Sequence, residues 1–331
     1  MTGRLTPQDG LAEDDPVGCT AVVRRERAGT ELLCLHRAGE AAAYDGDRGW
    51  TPPAGCRQPG EPVLAAALRA LGEEAGIDEA DVWAVDLSGS WALFAADVAD
   101  DVTVDLRDPE HDRCAWLSPQ EAAARIRPEE VARAQVARAA AVPRVSVGFR
   151  PLTRADFPDV VAWQAQPYVA RWWSHEATDV AGAERHYGPA LDGDDPTRMW
   201  VAEVNGRSVG LLQDYRVGDH PDWALLTARP EAVGVDYLLG DPSWVGSGVG
   251  TRMMWTYLRD VVVPHYPGVR QVFAAPEHRN AASLRVLDKL GFTRGLWFDE
   301  PRSDGRRDTV VGCTLDVARV LGPGARFVTR R

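Results

Sequence analysis

The chain has 331 residues, 45% of them apolar and 26% charged, and a formal net charge of −12. That length suits two domains of ordinary size, each able to bury a core. No run of about 18 apolar residues is present to span a membrane, the opening MTGRLTPQDGLAEDDP lacks the basic and apolar stretches of a secretory signal, and the acidic balance argues against a nucleic-acid partner.

A cytoplasmic protein without membrane contact is therefore expected. Residues 1–14 are polar, with Gly, Pro and an acidic run, and read as a disordered tail. Strand-like runs follow at Cys19–Val23, Glu31–His36 and Trp83–Ala96, and helical patterns at Pro62–Ala75 and Pro128–Ala141. Val142-Pro143 breaks the second helix, so a first domain of 15–142 is expected. A second pattern runs over 145–321, leaving 322–331 as a tail. Its strands are VSVGFRPL from Val145, Met199–Val204 and Ser208–Tyr215 around the Asn205-Gly206 turn, Ala232–Leu239, Val269–Ala274, Thr293–Phe298 and Asp308–Thr314. Its helices are expected from the Thr153 cap, at Gly250–Val261 and at Asn280–Lys289. The five cysteines are odd in number and none has C-x-x-C spacing, so reduced, mostly buried thiols are expected.

The most informative stretch is Trp244-Val-Gly-Ser-Gly-Val-Gly-Thr251, between a strand and a helix. Glycines at 246, 248 and 250 let backbone N–H groups converge on a ligand, and a helix N-terminus behind them favours an anion such as a pyrophosphate. A Walker loop requires a lysine where Thr251-Arg252 stands, and no G-x-G-x-x-G register fits. Taken alone, such a loop is equally compatible with a structural turn.

The order glycine loop, helix, strand, then Asn280 through Ser283 and Lys289 to Gly291-Phe292 resembles the GNAT acetyltransferase superfamily over 145–321. The resemblance implies acetyl-CoA as cofactor. It implies cofactor contacts from Leu238, Leu239, Val245, Gly246, Ser247, Gly248, Val249, Gly250, Thr251, Asn280 and Ser283. Val245 stands where the family usually has Arg or Gln. Tyr168–Trp173, Trp200–Gly210, Gln213-Asp-Tyr215 and Gly234-Val-Asp236 are further similar to aminoglycoside 6'-N-acetyltransferases, and also to siderophore-type lysine acyltransferases. By that resemblance Asp236 is the acceptor-side base, and the substrate is a small cationic amine.

A carboxylate suits that role because an amine attacks only after losing its proton. Trp172, Trp173 and Trp223 are candidates to stack on the acceptor, and Gln213, Asp214, Tyr215 and Asp222 to bind it. Core packing of the Trp pair, a strand-end ion pair at Asp236 and solvated carboxylates at 214 and 222 are the structural alternatives. Two departures stand out. A second acidic residue of the aminoglycoside enzymes is replaced by Ala275, so Glu277 or Asp214 is expected to substitute. The place of a thiolate-protonating Tyr is Leu287.

In the first half, Gly55, Glu61, Arg69, Leu71, Glu73, Glu74, Gly76 and Ile77 match the Nudix box in register, and Glu110-His111-Asp112 resembles a later Nudix segment. The implied fold is an α/β/α sandwich, making the whole a two-domain α/β (α+β) chain. The implied chemistry is Mg²⁺ on Glu61, Glu73 and Glu74 clamping a nucleotide diphosphate. Ala70 stands where the box has a glutamate, so a hydrolase, a nucleotide sensor and a supporting module all remain open. A siderophore-lysine or protein N-terminal acceptor remains open for the second half.

Overall fold

The computed structural model describes residues 10–38, 49–126, 129–173, 177–301, 305 and 307–322. The chain divides into two units: one reaches Arg144 and resumes at Ala318, the other is Val145–Val317. The expected second domain ended at 321, so its last residues belong instead to the first unit.

The first unit contains β1 (Gly18–Glu26), β2 (Thr30–Arg37), β3 (Trp50–Thr51), β4 (Ala54–Cys56), α1 (Val63–Ala75), β5 (Asp81–Asp86), β6 (Trp91–Asp97), β7 (His111–Leu117), α2 (Pro119–Arg125) and α3 (Glu129–Ala141). Its sheet runs β3-β2-β1-β6-β5, with β4 also on β1 and β7 on β2. β1 and β6 are parallel, and every residue of β1 but the last is buried, as in a sheet covered on both faces. Arg24 is buried in that strand. It forms a fork to Asp97 at 2.7 and 3.0 Å and donates to the Ala139 and Val142 carbonyls, which ties the end of α3 to the sheet.

Three expectations change here. The run Trp83–Ala96 is a hairpin, β5 and β6, because Asp86 accepts from Ser88 N and Oγ and turns the chain. The tail to residue 14 is packed from Gly10 where described: Ala12 is buried and bonds Arg57 O, and Asp14 pairs with Arg57. Positions 1–9 and 323–331 lie outside the described residues, as does Pro128. The helix α2, absent from the sequence reading, carries a full capping box between Ser118 and Glu121.

The second unit contains β8 (Val147–Pro151), α4 (Phe157–Gln164), α5 (Pro167–Ala170), α6 (Val180–Asp192), β9 (Arg198–Val204), β10 (Arg207–Arg216), α7 (Pro221–Thr227), β11 (Val233–Leu239), α8 (Val249–Tyr257), α9 (Val263–His265), β12 (Gln271–Ala274), α10 (Ala281–Lys289), β13 (Thr293–Pro301) and β14 (Arg307–Asp316); α11 (Val317–Val320) follows, and from Ala318 on it belongs to the first unit. The sheet order is β13-β14-β12-β11-β10-β9-β8. Asn205 (φ 52°) and Gly206 (φ 74°) make the tight turn between β9 and β10. Phe157, Val160 and Tyr187 pack with Leu211 and Leu238 on one face of the sheet.

The sheet's one parallel pairing, β11 with β12, is short: Val233↔Val272 and Gly234↔Phe273 only. Past Gly234 no strand ladder is found on the β12-facing edge of β11 among the described residues, while its other edge stays paired with β10 as far as Leu239. The helix expected at Gly250–Val261 is α-helical only to Tyr257 and continues as a wider turn, Leu258–Val262.

Candidate functional site

β11 runs through Gly240 into the glycine loop. A Cβ at Gly240 would stand 2.0 Å from the Trp163 ring, so close packing fixes glycine here. Asp241 caps the following short turn, accepting from Ser243 N at 2.9 Å. Gly246 (φ 77°) and Gly248 (φ 86°) adopt the left-handed backbone, and Gly248 starts α8. Gly250, in contrast, lies within the helix, where its backbone is ordinary. Among the described residues, no acceptor is found for the amides of Gly246, Gly248 and Gly250, and Val249 N reaches only Ser247 Oγ at 3.4 Å. Those donors sit at the positive end of a nine-residue helix, an arrangement matched to a diphosphate. Val245 is half exposed beside them and Thr251 is buried.

Strand alternation sorts the remaining residues. Across the β10–β11 pair, Gln213 faces Asp236 and Tyr215 faces Gly234. Gln213 Nε2 donates to Asp236 Oδ2 at 2.9 Å. A Cβ at Gly234 would stand 2.5 Å from the Tyr215 ring, so the glycine opens the space that ring fills. Burial first, then the Asp236 carboxylate, hold the Tyr215 phenol well above its ordinary value, and it is neutral.

Asp214 points to the opposite face, which corrects its expected place at the acceptor. It is fully buried and accepts from Arg198 Nε at 2.7 Å, Trp200 Nε1 at 2.9 Å, Tyr266 Oη at 2.7 Å and Tyr257 Oη. Nor is it a solvated loop carboxylate. It anchors the strand to the helical layer behind it.

Glu277 is likewise engaged: Arg279 N and Nε both donate to it at 2.6 Å, and His278 Nδ1 stands 3.3 Å away. Asp222 is exposed at the start of α7. Trp223 packs against Phe273 and Phe298, with centroids 6.3 and 5.7 Å away. Trp173 packs on the core, and Trp172 is half-buried beside Arg171. The Leu238 side chain is in the core, whereas Leu239 turns toward Gly250. Asn280 Oδ1 caps α10 by accepting from Ser283 N, and Ser283 Oγ bonds Tyr237 Oη at 2.8 Å. Tyr237 was not singled out in the sequence, although its place beside Asp236 in β11 was legible.

The first unit does not bring its three glutamates together. Arg69 holds Glu61 through Nε and Nη2 at 2.8 and 3.0 Å, and its Nη1 holds Glu73 at 3.0 Å. Glu74 turns away to accept from Ala54 N at 3.1 Å. Burial pushes the Glu74 carboxyl up to about 8, so it carries a proton at neutral pH. Ala70 is buried against Gly55. Among the described residues no three His, Cys, Asp or Glu side chains stand as a metal site. The expected trio of Glu61, Glu73 and Glu74 is therefore not gathered around one point in this structure.

Residues 153–299 match the model of an acetyltransferase (GNAT) domain, and residues 15–139 that of a NUDIX domain. Two curated relatives, the aminoglycoside N(6')-acetyltransferases type 1 of Klebsiella pneumoniae and Serratia marcescens, are each 26% identical over 152 residues, spanning 45% of this chain and 75% of the relative. Crystal structures of aminoglycoside acetyltransferase AAC(6')-Ib with coenzyme A, and with coenzyme A and kanamycin, are similar at 25% identity. They cover 52% of this chain and 95% of theirs, with TM-scores of 0.44 and 0.43. No helix among the described residues is long and apolar enough to cross a membrane.

Proposed function

This chain joins a NUDIX domain to a GNAT acetyltransferase domain, and on that premise we propose that Asp236 serves as the base when the acetyl group of acetyl-CoA passes to a primary amine of a small cationic acceptor. The observation that carries this reading is the run of unpaired amides at Gly246, Gly248 and Gly250 beside a strand whose ladder ends after Gly234. The loop amides hold the diphosphate of the donor. The unladdered edge of β11 supplies N–H groups to the thioester carbonyl, each good donor contributing about 3 kcal/mol to the tetrahedral state.

In the reaction the acceptor ammonium first loses a proton to Asp236, held in place by Gln213. The free amine then attacks the acetyl carbon, the C–S bond breaks, and the proton that the nitrogen sheds on becoming an amide passes through water to the departing thiolate. Leu287 is buried and offers no proton for that last step. The half-buried aromatic rings of Trp172 and Trp223 fit a ring-shaped or flat cationic acceptor. The relatives act on aminoglycosides at the 6' amine, and that amine is our first choice of acceptor.

The test is thiol release from acetyl-CoA by the full-length protein, with aminoglycosides, linear polyamines, lysine derivatives and peptides as acceptors. Turnover with aminoglycosides supports the reading. Turnover with peptides or lysine derivatives alone moves the acceptor to the alternative branch. No turnover with any amine removes the reading.

For the NUDIX domain, the arrangement around Arg69 supports a binding or supporting module rather than a magnesium-dependent hydrolase. A nucleotide diphosphate is the ligand class to try.

A further inference from the structure

We propose that β13 is the seam of a homodimer, in which the strand pairs antiparallel with β13 of a second copy of this chain and joins two sheets edge to edge.

β13 ends its sheet, and among the described residues no strand pairs with its outer edge. Such an edge is a template for another strand, and folded proteins commonly guard it with a charge or a proline. The centre of this edge is instead Leu296-Trp297, 86% and 62% exposed, and Pro301 comes only at the end of the strand.

The inner edge shows how the side chains are sorted. Arg294 lies opposite Cys313, Trp297 opposite Val311 and Asp299 opposite Thr309 on β14, with a bulge between Arg294 and Trp297. Cys313, Val311 and Thr309 share one face of β14, so their partners share one face of β13. Without the extra residue of the bulge, Arg294 would face away from the other two. The result is a stripe with a cation at one end, an indole in the middle and a carboxylate at the other end.

That stripe complements itself. In an antiparallel pair with its two-fold axis at Trp297, Arg294 of each copy stands across from Asp299 of the other, and the two indoles meet at the axis. A parallel pair would set arginine against arginine and aspartate against aspartate, so the charges select the antiparallel form. A partner strand of one charge sign satisfies only one end of the stripe, whereas a second copy satisfies both. Arg294 and Asp299 are exposed and have bonding capacity left. Arg294 holds Asp288 through Nε and Nη2, and Asp299 accepts from Thr309 through Oδ1. Arg294 Nη1 and Asp299 Oδ2 have no hydrogen-bond partner among the described residues.

The experiment is sedimentation velocity with light scattering on the full-length protein, from micromolar to submillimolar concentration. Wild type, Trp297→Lys, Arg294→Glu, Asp299→Arg and an equimolar mixture of the last two are compared, and a cooperative melting curve shows that each variant is folded. Wild type is expected to reach the mass of a dimer. Trp297→Lys sets two like charges against each other at the axis and is expected to stay monomeric. Each charge reversal is felt twice across the axis and is expected to raise the dimer Kd by at least about tenfold. The mixture regains the dimer, because every Arg294→Glu copy then meets an Asp299→Arg copy with both contacts of opposite sign. Should Arg294→Glu fail to fold, Trp297→Lys and Asp299→Arg decide. A wild type that is monomeric throughout overturns the proposal. So does a dimer that Trp297→Lys leaves intact, because its seam then lies elsewhere, and so does a mixture of folded variants no tighter than its components.

Discussion

Gln213 and Asp236 face each other across β10 and β11, and the Gln213 side-chain amide donates to the Asp236 carboxylate at 2.9 Å. The bond fixes the carboxylate on the same face as Tyr215. Replacing Asp236 with Asn keeps the shape and removes the base. Turnover measured by thiol release is expected to fall at least ~10-fold, the low end for loss of a general base, with no change in melting temperature. Unchanged turnover would place the base elsewhere.

The glycines of the loop are not equivalent. Gly248 has φ 86°, where a side chain strains the backbone by about 1 kcal/mol or more. Gly250 is helical, and an added Cβ there meets only Leu239 Cδ2 at 3.9 Å. Gly248→Ala is therefore expected to raise the acetyl-CoA KM by about tenfold or more, and Gly250→Ala by much less. Calorimetry with CoA checks the order, which a purely structural turn would not reproduce in the binding constant.

Asp214 behaves as a core group in this structure. Asp214→Ala leaves the half-buried Arg198 guanidinium and the buried Tyr257 and Tyr266 hydroxyls without their acceptor. The expected cost is about 3–5 kcal/mol of stability, read by urea unfolding of the second unit. A variant of normal stability with a raised acceptor KM would return Asp214 to the acceptor site.

In the first unit the pH dependence follows from Glu74. Its carboxyl is raised from 4.5 to about 8, so between those values the folded state holds a proton that the unfolded state has lost. Stability contributed by this group is complete below pH 4.5 and is lost as pH rises to about 8. Glu74→Gln, which keeps an acceptor for Ala54 N, is expected to flatten the decline in a pH series of melting curves. A wild-type unit whose stability rises over that range would contradict the assignment.

Magnesium provides a separate check. With Arg69 on Glu61 and Glu73, millimolar Mg²⁺ is expected to leave the melting temperature of the first unit unchanged. It is also expected to release no phosphate from nucleoside diphosphate derivatives. A Mg²⁺-dependent rise in melting temperature would show that the glutamates rearrange around the ion.

Much of the fold was legible because it rests on local signals. Asn205-Gly206 specifies its turn, Gly246 and Gly248 supply the backbone the loop needs, and Asn280 marks the start of α10. Misreadings arose where a pattern was treated as continuous. Apolar residues on both sides of Ser88-Gly89-Ser90 hid a hairpin. Gln213, Asp214 and Tyr215 are adjacent in sequence and look like one binding group, but strand alternation sends the middle residue to the other face. The Ser118–Glu121 capping box is a local signal for α2 that needs no tertiary context.

The chain's return at Ala318 has a practical consequence for anyone dividing this protein. Val320 and Leu321 are buried with the first unit, so the transferase half is spliced into its neighbour rather than appended to it. Trimming the carboxyl end past Val320 should injure the NUDIX half first, and a stand-alone transferase should begin at Val145 and stop at Val317.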